Sequence, residues 1–338
     1  MSGPGHRLAL VTIARDEGPR IARLLRSVAP WVDEMVVLDT GSADDTIAVA
    51  QACGARVHSC TWGDDFGAAR NTALAHAGAD WHLVLDADEW LLVGGPALQA
   101  LRTQAPSFVG ALRLDDQGSA AGVVHDWLSR VLPGTVRYGG RVHEQPQHRL
   151  PVRRLALVVG HDGYTAERLA AKQGRNRRLL QAELQTAPHD GHLWYQLGKD
   201  HAAYGEHAPA AAALARADAL LGAAGLALQP DLSARLLYAL KMQGRHAQGL
   251  LHAEQRLAAC TQSPDFHFAL GDLLLDWAAC EPPQAGTLLP MAQAAWQRCL
   301  DIGERPDIVG SVHGRGSHLA AHNLAVLRDG LAALAHGR

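Results

Sequence analysis

The sequence lacks the features that would direct this chain to a membrane or to a nucleic acid. Its 338 residues contain no apolar run of about 18 residues, so no membrane-spanning helix is expected. The formal net charge is only -3, so the overall charge does not favour binding to nucleic acid or to an anionic lipid surface. The first six residues lead straight into a strand-like run, without an evident signal peptide.

Cysteine is scarce and carries no pattern. The five cysteines (Cys53, Cys60, Cys260, Cys280 and Cys299) are scattered, without a Cys-x-x-Cys pair. An odd, unpatterned set argues for reduced thiols in a cytoplasmic protein and against a disulfide framework. The 19 histidines form no convincing zinc-ligand spacing, so most are expected on the surface or in the core.

Two glycine-rich nucleotide-binding motifs are also missing. The chain has no Gly-x-Gly-x-x-Gly after a strand and no Gly-x-x-x-x-Gly-Lys-Ser/Thr. These absences argue against a dinucleotide-dependent oxidoreductase and against a P-loop ATPase. A nucleotide site, if the chain has one, must be built in another way.

The first part of the chain alternates strand and helix patterns. Apolar runs predict strands at 8–13, 34–38, 56–60 and 81–86, and helical spacing predicts helices at 20–29, 47–53 and 66–77. This alternation predicts an α/β domain with a parallel, doubly wound sheet. Between 107 and 159, strand-like pieces separated by Gly and Pro predict a mixed or antiparallel extension of that sheet.

The last part of the chain is rich in Ala and Leu. From Trp194 onward, Gly198, Ala210, Leu214 and Ala217 follow tetratricopeptide spacing, with a generic helical bundle as the alternative. The small residues Gly198, Ala210 and Ala217 suit close helix pairs, which favours the repeat. We predict an α/β domain at 1–165, a linking helix at 166–187 and an all-α tetratricopeptide-like domain at 188–338.

A short acidic sequence ends the fourth predicted strand. Alternation along an extended backbone would place Asp86 and Asp88 on the same side, separated by Ala87. Paired carboxylates suit Mg²⁺ or Mn²⁺, which prefer oxygen ligands and share positions with substrate phosphates. The alternative is a pair of solvated acids at a strand end.

Other charged residues follow the first two strands. Glu17 and Asp39 lie at neighbouring strand ends, where carboxylates can bind a uracil ring and a ribose by hydrogen bonds. Asp44 and Asp45 either take part or only cap the next helix. Arg70 either reaches the nucleotide or its diphosphate, or lies on a solvated helix face.

Four motifs in order resemble glycosyltransferase family 2 over residues 7–165. They are Val-Thr-Ile-Ala-Arg-Asp-Glu at 11–17, Val-Val-Leu-Asp-Thr-Gly-Ser-Ala-Asp-Asp-Thr at 36–46, Trp-Gly-Asp-Asp-Phe at 62–66 with Arg-Asn at 70–71, and Leu-Asp-Ala-Asp-Glu at 85–89. The resemblance implies a GT-A fold, a UDP-linked or other nucleotide-sugar donor, a divalent metal and inversion at the anomeric carbon. Asp16 departs from the Asn that often precedes the family's Glu.

The resemblance also implies roles for individual residues. Predicted metal ligands are Asp86, Asp88 and His161, and the predicted catalytic base is Glu144 or its neighbour His143. Predicted nucleotide-sugar-binding residues are Ala14, Arg15, Glu17, Asp39, Gly41, Arg70, Asp86 and Ala87. The alternative to a catalytic base is that His143 is structural and Glu144 is a surface residue.

The domain layout resembles the family 2 subfamily with C-terminal tetratricopeptide-like repeats, the peptide glycosyltransferases of glycocin biosynthesis. That resemblance implies transfer to Cys or Ser of a peptide, with the repeats binding the acceptor or forming a homodimer. The catalytic motifs also resemble lipopolysaccharide-core glucosyltransferases, which implies a glycan acceptor. A different class of hypothesis is a non-catalytic scaffold in which the repeats carry the function.

Overall fold

The computed structural model describes residues 5–117, 122–162 and 174–336, which form two compact units. The first unit contains 5–117 and 127–162, and the second contains 122–126 and 174–336. Residues 122–126, which the sequence assigned to the first domain, therefore belong to the helical unit. Of the predicted linking helix, residues 166–173 lie outside the described residues.

The first unit confirms the predicted α/β fold. Its strands are β1 (Leu8–Ala14), β2 (Glu34–Asp39), β3 (Arg56–Ser59), β4 (Trp81–Val84), β5 (Glu89–Val93), β6 (Val109–Asp116), β7 (Val124–Pro133, shared with the second unit), β8 (Arg137–Gly139), β9 (Gln145–Gln147) and β10 (Val152–His161). Its helices are α1 (Gly18–Val28), α2 (Thr46–Ala52), α3 (Phe66–Ala77) and α4 (Gly95–Leu101).

The main sheet has the strand order β3-β2-β1-β4-β7-β6-β10-β5. Strands β3, β2, β1 and β4 are parallel, whereas β7 is antiparallel to β4 and β5 is antiparallel to β10. The sheet is thus parallel on one side and mixed beyond β4, as the sequence predicts. The carboxyl ends of β1, β2 and β4 consequently lie along one edge.

The position of β1 between two cores explains why its sequence is apolar at every position except Thr12. Leu8 and Leu10 pack into a core that includes Leu24 of α1, while Ala9 and Val11 pack into a second core that includes residues of α3. Because successive side chains of a strand point to opposite faces, a strand covered on both faces carries apolar residues at nearly every position.

Strand β5 and helix α4 were not predicted. The segment begins directly after an acidic turn, so its start carries no local strand signal. The strand forms because β10 pairs with it in antiparallel register, with Gly160 opposite Trp90 and His161 opposite Glu89. A Cβ on Gly160 would lie 2.5 Å from the Trp90 ring, so the absence of a side chain makes room for that indole.

The second unit confirms the predicted helical region. Its helices are α5 (Arg175–Thr186), α6 (Gly191–Ala203), α7 (His207–Leu221), α8 (Gln229–Lys241), α9 (His246–Cys260), α10 (Pro264–Cys280), α11 (Ala285–Ile302) and α12 (His318–His336). A short strand, β11 (Ser311–Val312), pairs with Val124 and His125. No helix in the described ranges combines the length and apolarity needed to cross a bilayer.

Close helix packing in this unit depends on small residues, as the repeat pattern predicts. A Cβ on Gly198 of α6 would lie 2.6 Å from Leu214 of α7, and a Cβ on Gly271 of α10 would lie 2.5 Å from Trp296 of α11. Larger residues at these positions would push the paired helices apart.

Candidate active site

The carboxyl ends of β1 and β2 form the first part of the site. Ala14 and Asp39 are opposite each other in the parallel register. The Asp39 carboxylate is 2% exposed and accepts hydrogen bonds from the backbone N–H groups of Gly41 and Ser42 at 3.0 Å, and from the Ser42 hydroxyl. Gly41 has φ = +106°, a conformation that suits glycine and folds the loop back onto Asp39. Asp39 therefore fixes the shape of its own loop.

The loops after β1 and β2 are tied together by side-chain hydrogen bonds. The backbone N–H of Asp16 donates to Ser42 Oγ at 2.9 Å, and Ala43 N–H donates to Asp16 Oδ1 at 2.7 Å. Glu17 N–H donates to Thr46 Oγ1 at 2.8 Å. These contacts bring the two predicted nucleoside-binding loops side by side.

Asp44 has the capping role that the sequence left open. Its carboxylate accepts from Thr46 N–H at the start of α2 and from Gly18 N–H at the start of α1, at 2.9 and 3.1 Å. The hydrogen bond from the Thr46 hydroxyl lowers the pKa of Asp44. Asp45 precedes α2 but makes no side-chain capping bond.

The two acids after β4 are not presented by an extended strand. The strand ends at Val84, and residues 87–88 form a turn before β5 begins. The expectation that strand alternation puts Asp86 and Asp88 on one side is therefore wrong, because the backbone turns between them. Each acid instead has its own set of partners.

Asp86 contacts two arginines, the buried Arg70 and the partly buried Arg130. Arg70 Nη2 donates to Asp86 Oδ1 at 2.6 Å, and Arg130 Nη2 donates to Asp86 Oδ2 at 2.9 Å. Burial alone would raise the pKa of Asp86, but the two guanidinium groups outweigh it and hold that pKa well below its usual range. Asp86 is thus ionised and bridges the guanidinium groups of Arg70 and Arg130.

Arg70 lies inside the site, so the solvated-face alternative is wrong. The residue is 5% exposed and its Nε donates to Glu144. Its Nη1 is buried and has no hydrogen-bond partner among the described residues, while its guanidinium carbon lies 5.5 Å from the Tyr138 ring centroid. The Nη1 group of Arg70 therefore has hydrogen-bond donors that no described residue uses.

Glu144 reaches Arg70 because its loop is attached to helix α3. Phe66 N–H donates to Arg141 O at 2.8 Å, and the Asn71 side chain both donates to Tyr138 O and accepts from Tyr138 N–H. A Cβ on Gly67 would lie 2.4 Å from Gly140 O, so only glycine allows this approach. His143, at φ = +49°, turns the chain just before Glu144.

Glu89 supports the acidic turn from within. Its carboxylate accepts from Asp86 N–H at 2.8 Å and lies 3.5 Å from Arg130 Nη2. Burial, with a contribution from the Asp86 charge, raises the pKa of Glu89 to about 7, although Arg130 opposes the shift. Glu89 thereby links the turn to strand β7.

Asp88 belongs to a separate group with His161. His161 Nε2 lies 3.6 Å from Asp88 Oδ2, and His161 Nδ1 lies 3.3 Å from Asp116 Oδ1. Burial disfavours the charged imidazole, but Asp116 and Asp88 outweigh it and raise the pKa of His161 to about 10. The three side chains are nearly buried and form a chain of carboxylate, imidazole and carboxylate.

The structure adds Arg130, Asp116 and Glu89 to the residues that the sequence singled out. Asp116 ends β6, so the strand-end rule that pointed to Asp39 and Asp86 could have found it. Arg130 lies within β7 and has no local signal, because its role depends on the pairing of β7 beside β4.

Comparison with known proteins finds a family similarity over the first part of this unit. Residues 9–117 match the family model described as "Glycosyl transferase family 2". Over this stretch the chain is similar to family 2 glycosyltransferases. The match includes Glu17, Asp39, Arg70, Asp86 and Asp88, and so confirms the resemblance drawn from the sequence motifs.

Two curated relatives extend the comparison. A TPR repeat-containing protein of Synechococcus elongatus is 37% identical over 209 residues, covering 57% of this chain and 51% of that protein. The SPbeta prophage-derived glycosyltransferase SunS of Bacillus subtilis is 26% identical over 200 residues, covering 56% of this chain and 47% of SunS. The chain thus spans about half the length of these relatives.

A solved structure is also similar in sequence. Glucosyl-3-phosphoglycerate synthase from Mycobacterium tuberculosis, in complex with Mn²⁺, uridine diphosphate and glucosyl-3-phosphoglycerate, is 27% identical. The similarity covers 35% of this chain and 46% of that chain, with a TM-score of 0.29, which is too low to compare the folds. The glycosyltransferase assignment therefore depends on the family match and the curated relatives.

Proposed function

We propose that this chain transfers a sugar from a nucleotide-sugar donor, UDP-linked, to an acceptor, with Mn²⁺ or Mg²⁺ as cofactor and with inversion at the anomeric carbon. The observation that carries the proposal is the acidic turn of the glycosyltransferase domain, where Asp88 faces His161 and Asp86 holds two arginines. Such a site offers metal ligands and cationic donors beside each other, as a departing diphosphate requires.

The donor set at Asp88 and His161 fits a divalent cation. A carboxylate oxygen and an imidazole nitrogen face each other at 3.6 Å, and Asp116 holds the other ring nitrogen. Asp116 thereby orients the imidazole so that Nε2 faces Asp88, as carboxylates hydrogen-bonded to metal-ligating histidines do, and a metal ion bound there would replace the Nε2 proton. When bound, Mn²⁺ or Mg²⁺ supplies positive charge for the diphosphate leaving group.

Asp86, the third predicted ligand, has a different position. Both of its oxygens accept hydrogen bonds from arginines, so it would join the metal only by exchanging one of those contacts. We assign Asp86 chiefly to orienting Arg70. The Nη1 group of Arg70 has no partner among the described residues and suits a phosphate oxygen of the donor.

The nucleoside half of the donor would occupy the edge formed by the loops after β1 and β2. Glu17 and Asp39 supply hydrogen-bond acceptors there, and Gly41 bends the Asp39 loop. Ala14 and Arg15 precede Glu17 at the end of β1, and Ala87 lies between the two acids of the turn. We therefore propose the same nucleotide-sugar-binding residues that the sequence predicts.

For the base, we propose Glu144, with His143 as its rival. Glu144 is nearly buried and contacts Arg70, which also holds Asp86. In an inverting transfer the base takes the proton of the acceptor O–H or S–H. The freed electron pair then bonds to the anomeric carbon while the bond to the diphosphate oxygen breaks. Positioned bases contribute about 10²–10⁴-fold to such rates.

For the acceptor, we propose Cys or Ser of a peptide that the helical unit binds. Its stacked helix pairs suit polypeptide recognition, and one relative is named a TPR repeat-containing protein. The same unit is our candidate for a homodimer interface. All five cysteines are free, in line with a reducing, cytoplasmic setting.

The proposal is tested by donor hydrolysis. Wild-type protein incubated with UDP-glucose and Mn²⁺ or Mg²⁺ should release UDP slowly, and UDP plus metal should raise its melting temperature. Asp88→Asn should lose both effects. Asp301→Asn, an exposed Asp in α11, is the matched control and should behave as wild type.

Other outcomes separate the alternatives. Absence of UDP release together with absence of a metal-dependent thermal shift in the wild type would favour the non-catalytic scaffold. Release of UDP with transfer to lipopolysaccharide core, and none to Cys- or Ser-containing peptides, would replace the peptide acceptor by a glycan.

A further inference from the structure

A second group of metal-ligating side chains lies in the helical unit, at the junction of α9 and α10. We infer that His246, Asp276 and Cys280 form a binding site for a zinc-class transition-metal ion. This inference does not depend on the proposed sugar transfer, because none of the three residues belongs to the glycosyltransferase domain. His246 begins α9, and Cys280 ends α10.

The three side chains already converge. One ligand atom from each residue lies within 4.8 Å of the other two, and His246 Nε2 lies 2.7 Å from Asp276 Oδ2. Ligand atoms around a tetrahedral zinc ion are about 3.5 Å apart, given bond lengths of about 2.0–2.3 Å. Small side-chain rotations would therefore bring all three atoms into coordination.

Helical spacing explains why two of the ligands point the same way. Asp276 and Cys280 are four residues apart in the last turns of α10, so they lie on one face of that helix. The opposing ligand, His246, is held from the side by Trp277, whose ring stacks on the imidazole at 6.0 Å and 10°. The histidine ring is therefore oriented by packing as well as by its hydrogen bond.

The donor types select the ion. A thiolate, an imidazole and a carboxylate together suit Zn²⁺ or Co²⁺, whereas Mg²⁺ and Ca²⁺ prefer oxygen alone. Binding would release the Cys280 thiol proton, and the ion would replace the proton that His246 shares with Asp276. Three protein ligands leave a fourth position for water or for a group from a partner.

The carboxyl end of α10 favours a cation, and the site has a path from solvent. The site lies at the carboxyl end of α10, where the helix dipole is negative. Glu281 lines the adjoining surface pocket, and Arg245 in the same pocket donates to Gln243 and Gln248. His246 is buried, but Asp276 and Cys280 are exposed, so an ion can enter without unfolding.

The test is a Co²⁺ titration of the full chain after metal removal by chelation. Wild type should develop a near-ultraviolet thiolate-to-cobalt charge-transfer band at one equivalent, and Zn²⁺ should abolish it by displacement. The metal site proposed at Asp88 and His161 contains no thiolate, so Co²⁺ bound there gives no such band. Cys280→Ser should lose the band, while Cys53→Ser, the matched control, should keep it.

Two further variants separate a metal site from a structural ion pair. Asp276→Asn keeps the size of an exposed side chain and should weaken Zn²⁺ binding at least about tenfold by calorimetry, as should His246→Gln. A wild type without the band, or a Cys280→Ser variant that keeps it, would overturn the inference. Equal Zn²⁺ affinity in wild type and all three ligand variants would also overturn it, leaving His246 and Asp276 as a structural pair only.

Discussion

Arg130 donates a hydrogen bond from Nη2 to Oδ2 of Asp86 at 2.9 Å, across 44 positions of sequence. Arg70 donates to the other oxygen of the same carboxylate. Because both oxygens of Asp86 are engaged, Asp88 is the acid of the turn that we assign to the metal, and Asp86 connects the turn to the cations around it. The first prediction follows from this connection.

Arg130→Met should destabilise the α/β unit. The substitution leaves the buried Glu89 without its cation and Asp86 with one arginine. Breaking one partner of a buried ion pair costs roughly 3–5 kcal/mol, and Arg130→Lys should cost less because it keeps the charge. Urea unfolding measures the difference. Arg153→Met, at an exposed arginine of β10, is the control. Similar stability of the Met and control variants would contradict this ion-pair account.

Asp116→Asn should weaken Mn²⁺ binding without abolishing it. Asp116 contacts His161 Nδ1 and so fixes which ring nitrogen faces Asp88. Loss of such an orienting carboxylate typically lowers metal affinity about 10–100-fold. Calorimetric titration with Mn²⁺ in the presence of UDP measures the change. Asp115→Asn is the control, since the Asp115 carboxylate pairs with Arg113. Unchanged Mn²⁺ affinity in Asp116→Asn would remove the positioning role.

Glu144→Gln should lower turnover about 10²–10⁴-fold while leaving KM for the donor nearly unchanged. Glutamine keeps an oxygen that accepts from Arg70 Nε, so the geometry around Arg70 should survive. Steady-state transfer kinetics give kcat and KM separately. The rival assignment is tested with His143→Gln in parallel. A larger fall in kcat for His143→Gln would move the base to that residue.

The free energy of unfolding should fall by about 2 kcal/mol between pH 7 and pH 5 because of His82. Burial, with the nearby Arg137, lowers the pKa of His82 to about 4 against the opposing charge of Asp80, and Ala79 N–H donates to its Nε2. The pKa of His82 is lower in the folded state than in the unfolded chain. The stability that the neutral imidazole contributes is therefore present above the pKa of the unfolded chain and is lost as the pH falls. The proton binds the unfolded chain first, so acid favours unfolding.

Urea unfolding of wild type and His82→Gln at several pH values checks this prediction. The variant should be less stable at pH 7 and should lose less stability toward pH 5. Equal slopes in the two proteins would show that other groups dominate the acid side. The comparison of slopes is needed because the chain has 19 histidines.

Much of the site could be predicted from local sequence. Apolar runs located β1, β2 and β4, and the charged residues after them located Glu17, Asp39 and Asp86. Helical spacing and small residues such as Gly198 located the helical unit. These features depend on the periodicity of a strand or helix, which neighbouring residues determine.

Only the tertiary structure decided how the acids are used. Asp88 faces His161, and Asp86 faces Arg70 and Arg130, because the backbone turns at 87–88 and because β7 and β10 supply partners from distant positions. The assignment of 122–126 to the helical unit likewise depends on pairing with β11. Hydrogen-bond partners across a sheet are fixed by strand order and register. Local sequence patterns determine neither the strand order nor the register.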